Sequence, residues 1–221
     1  MTASTPTLLS ALIALLVPLA SCVGTHKLSD PTIALRTRGG TELGVSTDYG
    51  VVFLGHTAQS GRVEIESWYG DGPNTEPTVI EPIGAGLFTA ETEIRLPVVA
   101  MAFDDPKPGS RLLVVGRDDR GPWSAWVEVE SDPRLLGIVT TIPSELAGRP
   151  DQIGAGVYVV PGGDKDKKRL IGLVAGEIQL STKDGERRLL AIVGPRDLWR
   201  LVAHRRDLLQ RKRWVYREDV F

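Results

Sequence analysis

The stretch PDQIGAGVYVV, residues 150–160, contains a predicted β-strand that is preceded by an unusual run of very small residues. Residues 157–160 (VYVV) have the β-branched and aromatic side chains that strands favour. Residues 154–156 (GAG), directly before them, have almost no side chain. Glycine before a strand indicates a tight turn or a close approach by another part of the backbone. The stretch therefore predicts one of these two features at the start of the strand.

The composition predicts a folded, mostly β protein of 221 residues, enough for one large domain or two small ones. Its 24 glycines and 15 prolines lie largely between short Val, Ile and Leu runs, which is typical of an all-β chain. The 26 Lys and Arg residues nearly balance the 28 Asp and Glu residues, so the net charge is only −2. This balance gives no electrostatic reason to expect nucleic-acid binding.

The single cysteine, Cys22, indicates where the protein is located. It follows an uncharged apolar run, LLSALIALLVPLAS, which is short for a membrane span and has the length of a signal-peptide core. Residues 19–22 (LASC) resemble the lipobox of bacterial lipoproteins, in which the signal is removed and the cysteine is lipidated. Residues 1–7 contain no Lys or Arg, a departure from that pattern. The alternative is a free cysteine buried in an N-terminal helix.

The lipobox resemblance implies a signal peptide over residues 1–21 and acyl chains such as palmitate on Cys22, which anchor the protein to a membrane. The expected location is the bacterial cell envelope. Val23, where Asp favours the inner membrane, favours the periplasmic side of the outer membrane.

The rest of the chain reads as a polar tether over 22–32, followed by strand after strand. Apolar and polar residues alternate in stretches such as RVEIESW, as in half-buried antiparallel strands. Twelve strands are predicted, at 33–38, 42–46, 50–54, 62–68, 77–83, 93–103, 111–116, 123–130, 135–142, 156–160, 169–175 and 188–193. Pro195 begins the one predicted helix, over 194–214, and a tail follows over 215–221.

Four stretches, in this order, resemble trypsin-like serine peptidases and are most similar to the bacterial HtrA-type branch. They are VVFLGHTA (51–58), PGSRLLVVGRDDRG (108–121), LLGIVTTI (135–142) and LLAIVGPRDLWRLV (189–202). The resemblance implies an all-β fold of two six-stranded antiparallel β-barrels, over 33–105 and 106–193, with a C-terminal helix and a cleft between the barrels.

The resemblance also implies a degenerate catalytic site. His56 matches the family's catalytic histidine, and Glu93 in ETEIRLPVV lies about where the family has its aspartate. The family's nucleophile loop reads Gly-Asn-Ser-Gly-Gly-Pro, whereas this chain has Gly154 or Ala155 at the serine's place, according to register. Neither side chain has an oxygen that can attack a carbonyl. His56 then has either a residual chemical role or an ordinary structural one.

The expected function is therefore that of a lipid-anchored pseudoprotease that binds a peptide or protein partner without cleaving it. In the active family an extended peptide pairs with the strand after the nucleophile loop, and its match here exposes Leu173, Val174, Ala175 and Gly176 as the candidate edge. Two alternatives stay open. The first is an active serine-type hydrolase with an unrecognised nucleophile, and the second is a structural envelope lipoprotein on an unrelated β-barrel.

No cofactor or metal is expected. The three histidines are far apart in sequence, a single cysteine gives no zinc spacing, and the chain has no P-loop or dinucleotide fingerprint. Residues 205–213 (RRDLLQRKR) form a basic run that either contacts anionic lipid headgroups or is the solvated face of a helix. No nucleic-acid partner is expected, because the protein is predicted to be exported.

Overall fold

The computed structural model describes residues 30–56, 63–68, 73–132, 135, 137–149, 152–182 and 185–218, with side chains as far as residue 210. The predicted signal peptide and Cys22 lie outside these residues. Within them, no helix is both long and apolar enough to cross a membrane.

The first sheet has seven antiparallel strands, in the spatial order β5-β4-β1-β2-β3-β7-β6. Its strands are β1 (Thr32–Thr37), β2 (Gly40–Thr47), β3 (Gly50–Phe53), β4 (Val63–Ser67), β5 (Asn74–Thr78), β6 (Ile80–Gly84) and β7 (Leu87–Ala90). Tight turns join β1 to β2 and β2 to β3. Gly40 (φ 139°) and Gly50 (φ 126°) begin the second strand of each pair with a backbone that other residues rarely adopt.

The seventh strand is a correction to the six that we predicted. The predicted strand at 77–83 is interrupted at Val79, whose side chain is 78% exposed. On one side of Val79 the chain pairs with β4, and on the other side it pairs with β7. Pro77 and Pro82 lack the amide hydrogen that a continuous central strand needs, so the segment serves two partners as two short strands.

The second sheet has the predicted six strands, all antiparallel, in the order β10-β13-β12-β11-β8-β9. Its strands are β8 (Arg111–Asp118), β9 (Gly121–Glu128), β10 (Ile138–Thr141), β11 (Gly156–Val159), β12 (Arg169–Thr182) and β13 (Gly185–Val193). Helix α1 (Pro195–Glu218) follows and extends past residue 214, where we predicted its end. The predicted class, two antiparallel β units and one C-terminal helix, is confirmed.

The segment between the sheets is an extended linker, although we predicted a strand at 93–103. Its only ladder contacts within the described chain are isolated bridges, Thr47 with Val99 and Met101 with Leu170. The linker is nevertheless bonded to both sheets: the Val99 amide donates to Ser46 O (3.1 Å), and the Ala102 amide donates to Leu170 O (2.8 Å). Burial alternates along part of this segment, as in a strand, but it reflects contact with two sheets in turn.

The apolar core joins the two sheets rather than filling each separately. One cluster packs Ala34 and Leu43 of the first sheet against residues of the second. Another includes Val45 and Val52 with Tyr158 of the second sheet and the helix residues Leu198 and Leu201. A third cluster lies within the first sheet alone. The boundary between the sheets is therefore largely a buried apolar surface.

Candidate functional site

The residue that lies against the GAG stretch is Leu43 of β2. A Cβ on Gly154 would be 1.9 Å from the Leu43 carbonyl oxygen, and Gly154 has φ +80°. The Leu43 amide donates to Ile153 O (3.4 Å), and the Gly154 amide donates to Val174 O (2.8 Å). Because backbone of both sheets meets here with no room for a side chain, Gly154 is required by a close approach and not by a turn alone.

Three residues of this loop, Ile153, Gly154 and Ala155, all lack a nucleophilic side chain. Ala155 is fully buried in the core shared by the two sheets, and Gly154 has no side chain. Ile153, which we did not single out from sequence, is the one of the three that lines the cleft between the sheets. The signal that could have identified it is its place directly before the glycine that makes the close contact.

His56 lies at the same end of the first sheet as this loop. Since Gly44 pairs with Phe53, the register continues to place Leu43 opposite Leu54, two residues before His56. At about 3.3 Å per residue along a strand and about 5 Å between strands, the His56 backbone lies within roughly 10 Å of Leu43. The His56 side chain is exposed and has no hydrogen bond or ion pair with the described part of the chain. His56 and the loop therefore lie at the same end of the first sheet, although His56 is not among the residues that line the cleft between the sheets.

Glu93 does not lie beside His56, contrary to the expectation that the family's triad positions converge. The strand that pairs with β3 is β7, with Phe53 opposite Phe88, and it runs away from His56 towards Glu93. Glu93 lines a groove of about 900 Å³ beside Gly50, at the opposite end of β3. Val51, which lines the same groove as Glu93, is five positions from His56 along the chain, so the Glu93 and His56 side chains are on the order of 15 Å apart.

The end of β7 that is closer to His56 is preceded by the turn Gly84-Ala85-Gly86. This turn has no carboxylate. The carboxylate that the described contacts place at this end belongs to Glu42, which sequence reasoning missed. Glu42 is 2% exposed, and its Oε1 accepts hydrogen bonds from the amides of Leu54 (2.7 Å) and Gly55 (2.6 Å). It therefore fixes the backbone immediately before His56. A buried Glu in a strand gives no sequence signal of such a role.

Only half of the candidate peptide edge is accessible, which corrects the prediction. Leu173 pairs with Gly156 on one side and with Val193 on the other, and Val174 bonds to Gly154 and Ala155. Both side chains are fully buried, so a peptide cannot pair there. Beyond Leu173, β12 continues to Thr182 with β13 alone as a paired strand among the described residues. The open edge therefore begins at Ala175 and Gly176.

A carboxylate network fixes the loop to this open edge. Glu177 Oε1 accepts hydrogen bonds from Gly148 N (2.7 Å) and Gln152 Nε2 (2.8 Å), and its other oxygen pairs with Arg188. Burial raises the pKa of the Glu177 carboxyl, but the hydrogen bonds and the Arg188 charge outweigh it and hold the pKa below its usual value. Gln152 is 3% exposed, so the network connects the base of the nucleophile-type loop to β12.

The cleft between the sheets has a volume of about 600 Å³, and we call it the arginine cleft. Its lining is apolar at Leu43, Trp68 and Ile153 and charged around them. The charged lining residues are Arg36, Arg117, Asp118, Asp119, Arg120 and Arg149. No group of three or more metal-ligating side chains occurs among the described residues.

Comparison with known proteins identifies the fold. No protein-family model and no curated protein matches the sequence. The structure is similar to the MamO protease domain from Magnetospirillum magneticum, with a TM-score of 0.56 and 16% identity over 81% of this chain and 97% of that one. It is also similar to Rv3671c from M. tuberculosis H37Rv (TM-score 0.54, 15% identity, 80% and 87% covered). A third is a serine endoprotease from Yersinia pestis (TM-score 0.51, 13% identity, 74% and 58% covered).

These similarities, at low sequence identity, show that the chain has the trypsin-like fold. The prediction drawn from the four sequence stretches is thereby confirmed for the fold. The alternative of an unrelated β-barrel is wrong, because the two sheets and the C-terminal helix superimpose on proteases over most of the chain.

Proposed function

We propose that this protein is a non-catalytic, trypsin-like pseudoprotease that binds a peptide or protein partner in the cleft between its sheets. The observation that carries the proposal is the nucleophile-type loop: Ile153, which lines the cleft between the sheets, and Gly154 and Ala155, which follow it, have neither a hydroxyl nor a thiol. The Glu42 carboxylate near His56 accepts hydrogen bonds from the Leu54 and Gly55 amides. In the resembling family the serine directly precedes two small residues and the strand. By that spacing Ile153 is a third candidate for the serine's place, beside the Gly154 and Ala155 that the sequence analysis assigned to it, and none of the three has a nucleophilic side chain.

Catalysis by a Ser-His-Asp site depends on a nucleophile within hydrogen-bond reach of its base and on a carboxylate that orients the base. The first requirement fails at Ile153, and the second fails at the Gly84–Gly86 turn. Binding has no such requirement, since a peptide can pair with a strand edge through main-chain hydrogen bonds alone. The edge of β12 from Ala175 onward borders the nucleophile-type loop and supplies such a surface.

The proposal includes a lipid anchor at Cys22 and a place in the bacterial cell envelope, with the outer membrane favoured by Val23. The apolar run before Cys22 and the small residues beside it support this part. The expected result is incorporation of an alkyne-labelled palmitate analogue into the full chain in a bacterial host, lost in Cys22→Ser. Equal labelling of both chains would contradict the anchor.

One experiment tests the absence of catalysis. The full chain, purified in detergent, is treated with a fluorophosphonate probe and with unfolded casein, beside an active trypsin-like protease and a His56→Ala variant. We expect neither labelling nor cleavage. Cleavage that disappears in His56→Ala, with labelling of one serine, would instead establish the alternative of a hydrolase with an unrecognised nucleophile.

A second experiment tests binding. Peptides are selected from a random library on the full chain, and their affinities are measured by fluorescence anisotropy. Thr41→Trp narrows the cleft and should weaken binding by about tenfold or more. Val79→Trp, at a side chain that is 78% exposed and outside the cleft, should leave the affinity unchanged. Equal affinities for the two variants would place the binding site elsewhere.

A further inference from the structure

The arginine cleft has an excess of positive charge that the chain as a whole lacks. Four arginines and two aspartates line the cleft, whereas the net charge of the protein is −2. Arg36 lies in β1 and Arg117 in β8, whereas Arg120 lies in the turn between β8 and β9 and Arg149 in the loop between β10 and β11. The excess therefore lies between the two sheets, directly beside Ile153.

Two of these guanidinium groups are held in place by aromatic rings and carboxylates. Arg117 lies over the Trp68 ring at 4.3 Å and pairs through Nη1 with Asp30 (3.1 Å). Arg149 lies over the Trp123 ring at 5.1 Å and pairs through Nη2 with Asp118 (2.9 Å). A guanidinium that is fixed before the ligand arrives loses less side-chain entropy on binding, which favours affinity.

Donors remain after these pairs are counted. A guanidinium has five N–H donors. Arg36 pairs with Glu66 through Nε, and Arg117 uses one terminal nitrogen, so each leaves further N–H groups. Arg120 forms no ion pair within the described chain. Asp30 and Glu66, which fix Arg117 and Arg36, do not line the cleft, so they do not occupy the space of a ligand.

We propose that the arginine cleft binds the carboxylate of an Asp or Glu side chain in the partner peptide. The proposal rests on the proposed function and specifies its ligand. The carboxylate lies between Arg36 on one side of the cleft and Arg117 and Arg120 on the other. A guanidinium can pair with a carboxylate there through two parallel hydrogen bonds. The apolar residues Leu43, Trp68 and Ile153 contact the methylene groups of the same side chain.

The test compares pairs of fluorescein-labelled, C-terminally amidated peptides that differ only by Glu against Gln at one position. Their sequences come from the library selection on the full chain, so each pair starts from a peptide that binds. The measured quantity is the ratio of the two dissociation constants. We expect the Glu peptide to bind about tenfold more tightly at low salt, with the preference declining as ionic strength rises.

Variants of single arginines test whether the preference for Glu over Gln arises in the arginine cleft. Arg117→Gln and Arg120→Gln should each reduce the ratio towards one. Arg111→Gln is the control, since Arg111 also lies over a tryptophan, Trp126 at 5.1 Å, but outside the cleft. It should leave the ratio unchanged. Arg120 is exposed and has no ion pair with the residues that the structure describes, so its replacement should keep the fold and provides a readout if Arg117→Gln destabilises the chain.

The outcomes separate the two proposals. If peptides bind with a ratio near one, or if Arg111→Gln removes the preference as well as Arg117→Gln does, the carboxylate site is refuted and the peptide-binding function stands. If no peptide from the library binds, the proposed function is refuted and the carboxylate site with it.

Discussion

Substitution of Gly154 tests whether the close approach of the two sheets contributes to the stability of the fold. Any side chain there meets the Leu43 carbonyl and also adopts φ +80°. We expect Gly154→Ala to cost about 3 kcal/mol or more of unfolding free energy, because a left-handed backbone adds about 1–2 kcal/mol and a buried steric overlap about 1–3 kcal/mol. Urea unfolding measures this cost.

Gly163→Ala is the matched control. Gly163 has φ +76°, almost the same backbone, but nothing lies within 4 Å of a Cβ built there. Its cost should be about 1–2 kcal/mol, the left-handed backbone alone. If the two alanine variants lose the same stability, the close approach contributes nothing.

The hydrogen bonds and the ion pair of Glu177 predict that the stability of the fold depends on pH. Its folded pKa lies below the unfolded value because Gly148, Gln152 and Arg188 bond the charged form. The carboxylate therefore stabilises the fold fully above the unfolded pKa of about 4.3, and this contribution is lost as the pH falls through the folded pKa. The stability difference between wild type and Glu177→Gln should be largest at pH 7 and should shrink below about pH 4.

Chemical unfolding at pH 7, 4 and 3 measures this difference. Glu93→Gln, which removes an exposed carboxylate outside the network, controls for the general effect of acid. A difference for Glu177→Gln that is constant over this range would contradict the role of the network.

The sequence predicted part of the site at residue level. His56 was singled out because VVFLGHTA resembles the family's histidine strand, and the GAG stretch because glycines before a strand are a local signal. Glu93 was assigned to the wrong end of β3, since the register of β7 depends on a strand pair that no local pattern reveals. Ile153 and Glu42 were missed because an apolar loop residue and a strand carboxylate have no distinctive spacing. Their roles depend on contacts between distant segments.

At the scale of elements, helix α1 is held by one narrow face. Helical periodicity in the sequence predicts a common apolar stripe, which consists of Leu198, Leu201, Val202, Leu208 and Leu209. In the structure Leu198 and Leu201 are fully buried, whereas Leu209 is 49% exposed. We expect Leu201→Ala to cost about 2–5 kcal/mol, because a filled position becomes a cavity.

Leu209→Ala makes the same chemical change on the same helix and should cost only about 0.5 kcal/mol, the range of surface substitutions. Thermal or urea unfolding of the two variants makes the comparison. Equal losses would mean that α1 is packed along its whole length, contrary to the burial pattern.

Strands were predicted well where a continuous run of buried apolar residues marks them. β8 and β11 matched within two residues because their apolar runs end at glycine or acidic turns. β7 was missed, since four residues after a Gly-Ala-Gly turn carry little periodicity. The linker at 93–103 was overpredicted because alternating burial arises equally from contact with two separate sheets.

At the scale of the whole molecule, the shared core predicts a single cooperative unfolding transition. Two of the three apolar clusters contain residues of both sheets, so neither sheet keeps its buried surface if the other unfolds. Urea curves from far-UV circular dichroism and from tryptophan fluorescence should coincide.

Leu43→Ala, within the shared core, should move both curves by the same amount, a loss of about 2–5 kcal/mol. Two separate transitions, or a shift in one probe alone, would show that the sheets unfold independently.

The contact between Gly154 and Leu43 also limits which substitutions could introduce a nucleophile into this loop. A hydroxyl introduced at Gly154 meets the same carbonyl oxygen, and one at Ala155 points into the apolar core. Ile153 is the remaining place for a nucleophile, and a carboxylate would have to arise separately in the turn before β7. Neither substitution by itself would assemble a complete catalytic site. If the chain is the binding protein that we propose, the close contact at Gly154 keeps a catalytic site more than one substitution away.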